Sequence, residues 1–261
     1  MSLRPIKRLG QHFLVDPNTI RRILAQFDVP PDGRVIEIGP GSGALTEHLI
    51  VEHPAMTAIE IDERAIALLS ERFPTLDVRH LDILEVDYAS IETGSDPLWV
   101  IGNLPYNITS QILFRILESP RVVQAVVTMQ KEVAERLVAT PRTKAYGILS
   151  VLTQLLVRPR ICFHISPNVF RPKPDVWSST VRLDRPPEPA IAGLDIDHVR
   201  TIVRKAFGQR RKTLRNSLSE VVEETGVDVP NEWARRRAEE LEPLEFVELA
   251  RILTRHNDRN S

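Results

Sequence analysis

Apolar positions along the first two thirds of the chain fall in short runs that alternate with longer stretches at helical spacing. Ile20, Ile23, Leu24 and Phe27 recur at helical intervals behind Asp16 or Asn18 as N-cap. Pro30-Pro-Asp-Gly33 is a turn. Arg34–Gly39 then predicts a β-branched strand, followed by strands over Ala55–Ile61, Leu76–His80, Leu98–Ile101 and Ala125–Gln130. Helical patterns lie between and after them, through Leu45–Ile50, Arg64–Phe73, Ser110–Leu117 and Lys131–Thr140. Strands alternating with helices predict βαβ units and a mainly parallel sheet, an α/β fold. Arg185-Pro-Pro-Glu-Pro-Ala190 is a proline-rich linker. Beyond it only helical patterns recur, over Asp197–Phe207 with Asp197 as cap, Lys212–Glu224, Asn231–Glu240 and Pro243–Thr254. The expected division is a sheet domain over residues 1–185, with a basic N-terminal arm, and a small all-α domain over 186–261.

Composition narrows the function classes. Of 261 residues, 34 are Lys or Arg and 35 are Asp or Glu, a net charge of -1. The single cysteine excludes an internal disulfide framework and a multi-cysteine metal site. Cys162, between Ile161 and Phe163, is expected in the core, and no metal is expected. The longest apolar stretches fall short of the ~18 residues of a membrane span, and the basic N-terminus has no apolar signal region. A cytoplasmic monomer without membrane attachment is the expectation. The charge is nonetheless polarised. Arg200–Arg215 holds seven basic residues and no acid, whereas Glu220–Glu248 holds ten acids and three arginines. Arg4, Lys7 and Arg8 add a basic arm. Where charge sits, rather than its sum, decides affinity for nucleic acid.

The chemistry-bearing residues gather at predicted strand ends. Glu37-Ile-Gly39-Pro-Gly41-Ser-Gly43 follows the first strand, and glycines there permit a sharp turn and close approach of a ligand. The spacing is neither that of a dinucleotide fingerprint nor that of a P-loop. Glu60 ends the next strand, 21 residues after Gly39, placed to accept from both ribose hydroxyls. Asp62 competes for that role but lies past the strand end. Asp82 follows the third strand, where it can accept from an adenine amine or cap a turn. Asn103-Leu104-Pro105-Tyr106 follows the fourth. There the Asn103 side-chain carbonyl and the Leu104 main-chain carbonyl, stiffened by Pro105, can take both hydrogens of an exocyclic amine. Tyr106 offers a stacking face.

These residues together resemble an S-adenosylmethionine-dependent amino-methyltransferase. Gln11-His-Phe-Leu14, Phe170-Arg-Pro172-Lys-Pro174-Asp-Val176-Trp-Ser178 and Arg210-Arg-Lys-Thr-Leu-Arg-Asn-Ser-Leu218 are similar to segments of the ribosomal RNA adenine dimethylases. The last of them is similar to the bacterial type that modifies small-subunit RNA. The resemblance covers about residues 5 to 255.

The resemblance implies a Rossmann-like class I methyltransferase sheet with a small helical C-terminal domain. It places S-adenosylmethionine on His12, Leu14, Gly39, Gly41, Glu60, Asp82 and Asn103, with Gln11 beside the methionine end. It makes Asn103, Leu104, Pro105, Tyr106 and Phe170 the catalytic set, Phe170 as a second stacking wall. The implied substrate is a pair of adjacent adenosines in a hairpin loop near the 3′ end of 16S rRNA, within a small-subunit precursor. Arg4, Lys7, Arg8, Arg210, Arg211, Lys212 and Arg215 are expected on RNA phosphates, Arg211 and Arg215 sharing one helical face. The competing readings are a 23S rRNA adenine methylase of the antibiotic-resistance type and an RNA-binding assembly factor with a vestigial pocket. DNA or small-molecule methylases fit less well, for want of a target-recognition domain and because of the basic arms.

Overall fold

A computed structural model describes residues 3–86, 96–188, 190–191, 193–209 and 211–254, the Lys7 side chain excepted. The chain forms two compact units, Met1–Ala134 with Arg158–Arg185, and Glu135–Val157 with Pro186–Ser261.

The first unit contains β1 (Phe13–Leu14), β2 (Arg34–Ile38), β3 (Thr57–Glu60), β4 (Asp77–His80), β5 (Leu98–Asn103), β6 (Val122–Gln130), β7 (Arg158–Ile165), β8 (Phe170–Arg171) and β9 (Ser178–Asp184). Seven of them form one sheet in the order β4-β3-β2-β5-β6-β9-β7, while β1 and β8 make a separate ribbon. Strands β2 to β6 run parallel, and β9 lies antiparallel to both β6 and β7. The chain steps outward from β2 to β4 and returns to β5, so its connections diverge between β2 and β5. Ligands of open α/β sheets bind at such a switch point, beyond the strands' carboxyl ends. Parallel strands covered on both faces are buried throughout, as Val35–Ile38 and Thr57–Glu60 are.

Helices α1 (Pro17–Leu24), α2 (Thr46–Glu52), α3 (Glu63–Arg72) and α4 (Thr109–Glu118) complete this unit, with the start of α5 (Lys131–Leu137). Asp16, rather than Asn18, caps α1, accepting the Thr19 N–H at 2.7 Å, and Pro17 takes the first turn. The hydropathy pattern does not reveal β7 or β9, for a physical reason. Ser178, Ser179 and Thr180 are buried but satisfied by hydrogen bonds, Ser179 to His164 Nδ1 at 2.9 Å and Thr180 to Thr128 at 3.3 Å. Cys162 is half-buried at an irregularity of strand β7 rather than in the core.

The second unit contains α6 (Ile148–Leu156), α7 (Ile196–Gly208), α8 (Leu214–Ser217), α9 (Ser219–Thr225), α10 (Asn231–Ala234) and α11 (Pro243–Ile252). Residues 135–157, counted with the sheet domain on sequence grounds, belong here. Buried Tyr146 packs edge-on to Phe207 and donates its hydroxyl to the Leu241 carbonyl at 2.8 Å. Asp195, not Asp197, caps α7, accepting the Asp197 N–H. The helix expected over 212–224 is split at Leu218 and cannot start before Leu214, because Thr213 is extended. Arg211 therefore precedes α8 and shares no helical face with Arg215. Among the described residues, no helix is long and apolar enough to cross a membrane.

Candidate active site

Four strand ends meet in one crevice: Gly39 beyond β2, Glu60 on β3, Asp82 beyond β4 and Asn103 on β5 all line it. Gly39 and Gly41 adopt left-handed backbone, φ 63° and 54°. A Cβ on Gly39 would meet nothing within 4 Å, so the loop turns its bare backbone outward. One on Gly41 would lie 2.8 Å from the Phe13 ring. Phe13 is thus a wall of the crevice that sequence reasoning missed; it sits between His12 and Leu14, which that reasoning named.

Glu60 is buried and heavily engaged. Its Oε2 accepts the Gly41 N–H at 3.0 Å, and Oε1 accepts the N–H groups of Ile61 and Asp62, each at 2.9 Å. Burial pushes its pKa up, and these three N–H groups pull it back. A carboxylate offers about four lone-pair sites, so about one is left for a ligand. The expected grip on both ribose hydroxyls narrows to a single acceptor position. Glu60 also fastens the glycine loop to the turn after β3.

Asp62 takes a separate part. Its carboxylate chelates Arg64, with Nη2 at 2.6 Å and Nε at 2.9 Å, and accepts from Gln11 Nε2 at 2.9 Å. The Arg64 guanidinium, with help from Gln11, holds its pKa down to about 2. Gln11 Oε1 accepts the Ile6 N–H at 2.8 Å. Gln11 therefore lines the crevice and braces the turn after β3 through Asp62. It ties the N-terminal segment to that turn. Asp82 accepts the Leu84 N–H at 2.9 Å through one oxygen, the turn cap weighed against a ligand contact. Ile61 and Leu81, 45% and 44% exposed, share this wall and offer apolar surface to a flat heterocycle.

At β5 the Asn103 amide is oriented by its own nitrogen, which donates to the His12 carbonyl at 2.8 Å. The Asn103 Oδ1 is buried and has no hydrogen-bond partner among the described residues. A buried acceptor without a donor costs about 1–3 kcal/mol, a cost that a ligand's N–H removes. His12 stacks on Tyr106, with centroids 5.0 Å apart and planes at 29°. Its Nδ1 donates to the Pro172 carbonyl at 2.8 Å, which fixes the tautomer. The Tyr106 hydroxyl pairs with Ser178 Oγ, and burial raises its pKa, so the ring serves as surface rather than as a base. Leu104 and Pro105 complete this end of the crevice.

Two expected contacts are not brought together with the rest. Leu14 and Phe170 are register partners between β1 and β8 and lie in the hydrophobic core. Phe170 is fully buried and forms no wall of the crevice. Its two-residue strand places it inward, which a proline-rich loop reading did not anticipate. Of the basic set, Arg4, Arg8, Arg211, Lys212 and Arg215 are exposed. Arg210 and the Lys7 side chain lie outside the described residues. Part of the basic run is already paired, Arg200 with Asp197 at 2.6 Å and Lys205 with Glu220 at 2.9 Å.

Glu37, quoted in the glycine motif but given no role, sits inside β2, 1% exposed, accepting from Thr46 Oγ1 at 2.7 Å. Burial pushes its pKa up to about 8, so it is protonated at neutral pH. The folded chain keeps this proton up to about pH 8, whereas the unfolded chain loses it near 4.5. The Glu37 contribution to stability is therefore full below 4.5 and lost as pH rises to about 8. Glu37→Gln is expected to flatten this slope in thermal unfolding from pH 5 to 8. A slope equal to wild type would show that Glu37 is not protonated there.

The parallel sheet with a final antiparallel pair, the glycine loop, an acid on the neighbouring strand end and the amide at β5 define a class I methyltransferase. The sequence model of the family described as ribosomal RNA adenine dimethylase matches residues 4–255. The chain belongs to that family. It is 51% identical over 260 residues to the Ribosomal RNA small subunit methyltransferase A of Salinibacter ruber, covering 99% of this chain and 88% of that one. The same-named protein of Hahella chejuensis is 39% identical over 254 residues, covering 96% and 93%. Among solved structures, a dimethyladenosine transferase from Plasmodium falciparum shares the fold, with TM-score 0.76 at 23% identity over 91% of this chain and 96% of that one. The 23S rRNA methyltransferase ErmE gives TM-score 0.68 at 28% identity over 92% and 99%.

Proposed function

We propose that this protein transfers methyl groups from S-adenosylmethionine to the exocyclic amines of two adjacent adenosines in a hairpin loop near the 3′ end of 16S rRNA. The observation that carries the reading is the buried, unpartnered Asn103 Oδ1 at the end of β5. S-adenosylmethionine supplies an activated methyl on a sulfonium with a neutral leaving group. Glu60 takes a ribose hydroxyl, Asp82 the adenine amine, and Gly39 and Gly41 admit the chain of the cofactor against bare backbone. Asn103 Oδ1 and the Leu104 carbonyl accept the two hydrogens of the target amine and aim its lone pair for the first transfer; one of those protons then passes to solvent, and the remaining N–H keeps one acceptor for the second. Both acceptors also stabilise the positive charge that grows on nitrogen, and the Asn103 amide is held in place before the reaction begins. Tyr106 supports the base, which must leave its stack, so an unpaired loop is the cheaper target.

The small-subunit substrate is favoured by the 51% and 39% identical relatives, whose names carry that subunit, over the 28% identical enzyme named for 23S rRNA. Labelled methyl transfer to undermethylated small subunits, beside large subunits, tests the choice. Incorporation only into large-subunit RNA would overturn it.

The exposed cations Arg211, Lys212 and Arg215 hold phosphates and do no chemistry. Replacing all three with Gln is expected to reduce the salt slope of RNA binding by roughly 2 to 3 units, at about 0.7–0.9 per lost contact. Cofactor affinity stays the same. Binding isotherms at several salt concentrations read this out, and an unchanged slope leaves these side chains as solvated surface.

A further inference from the structure

Among the described residues, Trp177 is the exposed aromatic side chain of the molecule, with 52% of its surface free, and Val176 beside it is 41% exposed. It sits in a segment fastened at three points, two of them to residues of the crevice. Pro172 accepts from His12 Nδ1 at 2.8 Å. The Trp177 carbonyl accepts the Lys131 N–H at 2.9 Å. Ser178, its neighbour in sequence, holds the Tyr106 hydroxyl. Both other residues so joined, His12 and Tyr106, line the crevice. The segment also carries Pro174 and exposed Lys173. The braced backbone holds the indole in water, beside residues of the crevice, with a ring face open to a ligand.

We infer that Trp177 is a stacking platform for an unpaired base beside the target adenosine. The inference rests on the proposed RNA substrate. When an adenosine leaves its stack, the adjacent base loses one stacking face, and an exposed aromatic ring replaces it. Such stacking is sequence-tolerant, since every base has a π-face. Lys173 adds a cation for the accompanying phosphates. Phe170, expected as the second wall, is buried; Trp177 supplies an accessible ring in the same segment.

The test uses the full chain and single-stranded oligoadenylate. Trp177→Ala is expected to weaken oligoadenylate binding by roughly 5- to 150-fold, and Trp177→Phe to restore most of it. The emission that Trp177→Phe removes is expected to be quenched by oligoadenylate in wild type and not by duplex RNA. On small subunits, KM for RNA rises in Trp177→Ala while cofactor affinity is unchanged. Equal oligoadenylate affinity in wild type and Trp177→Ala, or emission indifferent to bound RNA, would overturn the inference. Weaker binding to whole subunits without weaker binding to naked RNA would also overturn it, in favour of a protein contact. Failure of wild type to methylate small subunits would instead strike the proposed substrate, because the oligoadenylate assay does not depend on turnover.

Discussion

Asn103→Ala is expected to slow single-turnover methyl transfer by about 10²–10³-fold, the usual cost of one oriented group removed from a reacting centre. Its Oδ1 is buried and unpartnered, and its nitrogen is held by the His12 carbonyl at 2.8 Å. The acceptor is therefore aimed without help from substrate, and its interaction strengthens as charge develops on the attacking amine. Loss of such an interaction lowers kcat and kcat/KM together. RNA affinity, measured separately, is expected to change little. A near wild-type rate at saturating RNA would remove Asn103 from the amine clamp.

Glu60→Ala is expected to act twice. It strips acceptors from the N–H groups of Gly41, Ile61 and Asp62, each costing up to about 1–3 kcal/mol where water cannot replace the lost bond. A stability loss on the order of 3 kcal/mol follows, read as a lower unfolding midpoint. It also removes the acceptor proposed for ribose, a charge-assisted bond of about 1.5–3 kcal/mol, so cofactor binds roughly 10- to 100-fold more weakly. Glu60→Gln separates the two effects, because its carbonyl can still serve one side of the loop while its NH₂ opposes an N–H on the other. Calorimetric titration with cofactor decides the matter. Unchanged affinity in Glu60→Ala would leave Glu60 a purely structural residue.

Much of this was legible in the chain. The short strand runs read before Gly39, Glu60, Asp82 and Asn103 place all four at one sheet edge, because parallel strands put their carboxyl ends together. What stayed hidden had local causes. Strand β9 buries Ser178, Ser179 and Thr180, whose hydrogen bonds replace the apolar signal. Phe13 lines the crevice without having been singled out, and Phe170, expected there, is buried, since a two-residue ribbon gives no alternation from which to read a face. Gln11 was assigned from resemblance alone, and its bond to Asp62 depends on two segments 51 residues apart. Charge and spacing predict a helix through Lys212 and Thr213, but extended Thr213 starts it later and parts Arg211 from Arg215.

This crevice is expected to act on adenosines of 16S rRNA in the cell. The most direct test is mass-spectrometric mapping of that RNA from a strain lacking the gene, complemented with wild type or with Asn103→Ala. Two adjacent dimethyladenosines near the 3′ end are expected with wild type, and unmodified adenosines both without the gene and with Asn103→Ala. The same modification in all three strains, or its restoration by Asn103→Ala, would contradict this expectation.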